Sequence, residues 1–65
     1  MYMLVNSPKS GEQKEAFEVL DEVFGTGEFT DGQAINSIAV GLEVDAGRAQ
    51  SIFNLLVRSE NIGAV

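Results

Sequence analysis

Apolar positions recur along this chain at two spacings, and the places where the spacing changes divide it into short elements. Tyr2-Met3-Leu4-Val5-Asn6 has strand composition and ends at Ser7-Pro8, where proline cannot continue a ladder. Beyond it, Ala16, Phe17, Leu20, Val23 and Phe24 fall on one face at helical spacing, with Glu15, Glu18, Asp21 and Glu22 on the other. This pattern predicts an amphipathic first helix. Two starts are open for it: Ser7 as cap with Pro8 in the first helical position, or Ser10 as cap with Gln13 closing a capping box. Its end is marked by Gly25 and Gly27 on either side of Thr26, where a left-handed cap is expected.

Glu28-Phe29 is too short for a strand, but it precedes Thr30, which can cap a second helix with Gln33 three residues on and Phe29 stapled against Ala34. Ala34, Ile35, Ile38, Ala39 and Leu42 form the stripe of that helix, and Gly41 weakens its last turn. Val44 lies in the break that follows, and Asp45 is a natural cap for a third helix over 46–60. There Ala49, Ile52, Phe53 and Leu56 repeat on one face, and Asn61 and Gly63 end it. Residues Ile62 to Val65 can add a last short strand, with no return strand after it. The N-terminal strand of Tyr2, Leu4 and the adjacent methionines pairs either with it or, as a free apolar edge, across a dimer.

The segment from Gln33 to Ile52 resembles a helix-turn-helix. In that superfamily a small residue lets the second helix cross the first closely, matched by Ala39. An apolar residue ends the first helix, matched by Leu42, and another plugs the turn, matched by Val44. Asp45 matches the polar cap of the recognition helix, and Ala49 and Ile52 match its inward positions. Glu43 departs from the pattern, standing where a turn glycine is usual, although Gly41 and Gly47 offer slack on either side. The amphipathic helix ahead, the Gly27-Glu28-Phe29-Thr30 link and the tail Asn61 to Val65 resemble the winged-helix branch in particular. Together the match runs from about Ala16 to Val65. The resemblance implies a mainly α fold: a three-helix helix-turn-helix bundle with a minimal β element and a truncated wing, forming one domain over 1–65. It also implies a small regulator of archaeal or bacterial type that reads double-stranded DNA with the third helix.

Composition narrows the chemistry. Cysteine and histidine are absent, which removes disulfides, thiol catalysis and the common zinc frameworks. The serines have no plausible base, and the seven glycines form no phosphate-cradling loop, so neither an enzyme nor a cofactor is expected. Met1 to Val5 lacks the basic leader and apolar length of an export signal or membrane span, and a cytoplasmic protein is expected.

Charge bears directly on the DNA reading. Ten acidic residues stand against four basic ones, a net charge of −6. The acids crowd the first half: between Ser10 and Asp31, Glu12, Glu15, Glu18, Asp21, Glu22, Glu28 and Asp31 face only Lys14, whereas Ala46 to Ser59 holds Arg48 and Arg58 and no acid. The outward side of helix three carries Arg48, Gln50, Ser51, Asn54 and Arg58, types that can read guanine, adenine or either base edge. The same residues also suit an ordinary solvated helix face. Leu55 beside them, with Tyr2 and Leu4 of the first strand, supplies an alternative, a protein interface or homodimer contact on a winged-helix-like module that binds no DNA. The acidic face of helix one, Glu15, Glu18, Asp21 and Glu22, reads as a solvated surface, with docking of a basic partner or a cation as the alternative.

Overall fold

Side-chain caps fix where the second and third helices begin. Thr30 Oγ1 accepts from the Gln33 N–H at 3.1 Å and Gln33 Oε1 accepts from the Thr30 N–H at 2.9 Å, so the expected capping box is complete. Asp45 Oδ1 accepts from the Arg48 N–H at 2.7 Å. The computed structural model describes all residues from Met1 to Val65, in the order β1 (Tyr2–Leu4), α1 (Gly11–Phe24), α2 (Asp31–Leu42), α3 (Ala46–Arg58) and β2 (Ile62–Ala64). The chain is therefore mainly α, a three-helix bundle with a minimal two-stranded antiparallel sheet.

Of the two starts open for helix one, the later is observed, with Ser10 at the cap. Its side chain makes no capping bond, so the box with Gln13 does not form. At the other end Gly25 takes φ 57° and its N–H closes on the Asp21 carbonyl at 2.8 Å, a backbone setting that glycine adopts without steric cost.

The core consists of Ala16 and Leu20 of α1, Ala34 and Ile38 of α2, Ala49, Ile52, Phe53 and Leu56 of α3, Phe29 before α2 and Ile62 of β2. Every inward position expected of helix three is buried. In helix one the expected stripe is corrected at Val23, which is 58% exposed. The reason lies at Gly41: a Cβ there would sit 2.7 Å from Val19 Cγ1, so α2 crosses α1 against Val19 and leaves Val23, one turn on, outside the contact. Gly41 is thus the small residue of the α1–α2 crossing as well as a weak helix former.

Strand β1 is shorter than Tyr2 to Asn6 and pairs with β2 within the chain, Tyr2 opposite Ala64, Met3 opposite Gly63 and Leu4 opposite Ile62. On its other edge Tyr2 exchanges both backbone bonds with Phe29, at 2.7 and 2.9 Å. Strand alternation turns Tyr2 and Leu4 toward the bundle and leaves Met1, Met3 and Val5 exposed. Asn61 fastens the strand's end: its carbonyl accepts from the Val5 N–H at 2.9 Å and its Nδ2 donates to the Asn6 carbonyl at 2.9 Å.

Candidate nucleic-acid interface

The turn between α2 and α3 sets the direction of the candidate recognition helix. Glu43 adopts the left-handed conformation, φ 57° and ψ 49°, that a turn glycine would favour. The Val44 N–H then reaches back to the Ala39 carbonyl at 3.0 Å, which closes α2 and seats the half-buried Val44 against the core. The turn is formed despite the missing glycine. A side chain in that conformation costs about 1–2 kcal/mol, which the packing on either side must offset.

With Ala49, Ile52, Phe53 and Leu56 turned inward, the opposite side of α3 is solvent-facing, and Arg48, Gln50, Ser51, Asn54, Leu55 and Arg58 are all exposed. By helical periodicity Gly47, Ser51, Asn54 and Arg58 run down the middle of that face, with Arg48 and Leu55 to one side of the row and Gln50 to the other. Gln50, Asn54 and Arg58 make no hydrogen bond within the chain through their side chains. Ser51 donates from Oγ to the Gly47 carbonyl at 3.2 Å, a bond along its own helix that leaves the oxygen able to accept.

Arg48 is the exception. Its Nη2 pairs with Glu12 Oε1 in the first turn of α1, the one ion pair in the protein, with the two side chains 57% and 42% exposed. At that exposure the pair contributes at most about 1 kcal/mol. It nonetheless orients the guanidinium toward α1 and halves the unpaired positive charge on the face. The sequence carries no local signal for this contact, because Glu12 and Arg48 lie 36 residues apart.

The remaining site residues are divided between core and surface. Tyr2 stacks edge-on against Phe53, ring centroids 5.2 Å apart, and Leu4 is likewise half-buried, so both contribute to packing of the sheet on the bundle. Leu55 is 47% exposed on the Arg48 side of α3. A second apolar surface lies between α1 and α2, where Val23 and Val40 flank an open groove of about 420 Å³. Val40 falls off the inward stripe of α2, so its exposure was readable from periodicity, but its meeting with Val23 was not. No helix is long and apolar enough to cross a membrane. Comparison of the chain with protein-family models, curated proteins and solved structures gives no match.

Proposed function

We propose that this protein is a small DNA-binding protein, a helix-turn-helix regulator of winged-helix-like plan that lays α3 in the major groove. The observation that carries the reading is the outward face of α3, where Arg48, Gln50, Ser51, Asn54 and Arg58 are exposed on a helix without an acidic residue. Arg48 and Arg58 would take guanine edges or phosphates, and Gln50 and Asn54 would take adenine. On this reading the protein is not an enzyme, needs no cofactor, and acts in the cytoplasm as a pair of copies. Two arginines per copy are few, and pairing doubles them.

Binding to a random-sequence duplex, followed by fluorescence anisotropy against salt, tests the proposal. The expected slope of log affinity on log salt is about −2 for one copy and about −4 for a pair, taking one phosphate per arginine. Arg48→Ala with Arg58→Ala abolishes binding, while Glu12→Gln releases Arg48 and tightens it. A folded chain that binds no duplex at low salt would sink the proposal.

A second reading is favoured by the Arg48–Glu12 pair, which draws one of the two arginines of α3 away from the groove. On that reading the bundle is a protein-interaction module that uses Leu55 and the exposed side of the N-terminal strand. It predicts that Leu55→Ser weakens partner binding and leaves the fold intact.

A further inference from the structure

We infer that the groove between α1 and α2 is a docking site for a basic amphipathic helix of another protein. Three large apolar side chains are exposed on the helices, and two of them, Val23 at 58% and Val40 at 72%, stand on facing helices at the same groove. Scattered exposed valines need no explanation, but Val23 and Val40 line one groove together with Val19, which gives it apolar side chains from both helices. Val19 and Gly41 form the floor. Because Gly41 has no side chain, α2 lies against Val19 and the groove stays shallow and open.

Charge selects the occupant. Glu22 lines the groove, and Glu15 and Glu18 continue the same edge of α1 by helical spacing, all exposed and none in an ion pair. The opposite wall on α2 is uncharged, with Asn36 and Ser37 beside Val40. A helix with apolar residues at i, i+3, i+4 and i+7 and lysine or arginine along one flank fits this arrangement on both counts. A second copy of the chain does not. It would bring its own Glu22 edge to the groove, while Lys9, Lys14, Arg48 and Arg58 all lie outside it. The site is on α1 and α2, so it is independent of whether α3 binds DNA.

The test uses a leucine-lysine peptide of about 15 residues with leucine at those spacings, long enough for helix formation on a surface. It is titrated into the methyl-labelled protein and followed by NMR. The expected result is saturable shifts at Val19, Val23 and Val40, weakened at least about tenfold by Val40→Glu, whose fold is checked by circular dichroism. A peptide with glutamate for lysine, and one with serine for leucine, should give no saturable shift at those methyls. Equal binding by the serine-lysine peptide would reduce the interaction to bulk charge and overturn the proposal. So would shifts confined to α3 or the sheet, no binding at all, or concentration-dependent shifts of the same valines in the protein alone, which would make the groove a self-association surface.

Discussion

Glu43 holds a backbone conformation that its side chain disfavours, and the turn between α2 and α3 depends on it. Relief of the left-handed penalty, about 1–2 kcal/mol, competes with the backbone entropy of glycine, about 0.5–1 kcal/mol. Removing an acid from a helix C-terminus adds a few tenths more, since the last carbonyls of α2 repel it. Glu43→Gly should therefore stabilise the protein by about 1 kcal/mol, read as a higher urea midpoint at unchanged slope. A fall in the midpoint would show that the Glu43 side chain has a stabilising contact. Much at this scale was legible in the chain. Thr30 with Gln33 and Asp45 cap as their positions predict, because a cap is a bond between residues three apart. Ser10 does not cap through its hydroxyl, although its sequence setting is similar, because Gly11 after it takes φ 80° and the backbone does not enter the helix as it does at Thr30 and Asp45.

At the scale of the elements, the Val19–Gly41 contact decides how α1 and α2 meet. Gly41→Ala gains helix propensity of roughly 1 kcal/mol but drives a methyl into the Val19 side chain, an overpacking cost of about 1–3 kcal/mol. The expected net effect is destabilisation. In a Val19→Ala background both γ-carbons are gone and only a close Cβ contact at 3.3 Å is left, so the same substitution should be much less destabilising. The double-mutant cycle should give a coupling near 1 kcal/mol or more. Additive effects would mean that the helices cross with more room than the geometry indicates. Periodicity located all three helices and the inward side of α3. It misassigned Val23, because a spacing rule identifies a face but not how much of that face a neighbouring helix covers. It also left open whether the first strand pairs within the chain. Phe29 and Asn61, distant in sequence from Tyr2 and Asn6, settle that pairing through backbone and amide bonds.

The whole molecule rests on ten buried apolar residues in 65, a core with little redundancy. Phe29 is its largest fully buried side chain. It is fully buried, stacked on Phe24 at 4.8 Å between centroids, and joined by two backbone bonds to Tyr2, so it ties α1 to the sheet. Phe29→Ala should cost about 3–5 kcal/mol, a large share of the roughly 3–10 kcal/mol available to a chain of this length. The variant is expected to be largely unfolded at room temperature by circular dichroism; a cooperative melt close to that of the parent would move the centre of the core elsewhere. Electrostatics also belongs to this scale. The net charge of −6 is dominated by α1, and the molecule presents a mainly polar helix face, α3, and an acid-edged apolar groove at separate places.

The sequence by itself determined the helices, two of their caps, the buried side of α3 and the polar residues on its outward side, because each follows from contacts between residues within a turn or two of one another. Only the tertiary structure decided that Glu12 holds Arg48, that Gly41 admits Val19, that Val23 and Val40 meet across one groove, and that β1 closes onto β2 and Phe29. Those are contacts between segments far apart in the chain. The physical reason is that periodicity records which side of an element avoids water, whereas the partner that covers it is chosen by the geometry of packing.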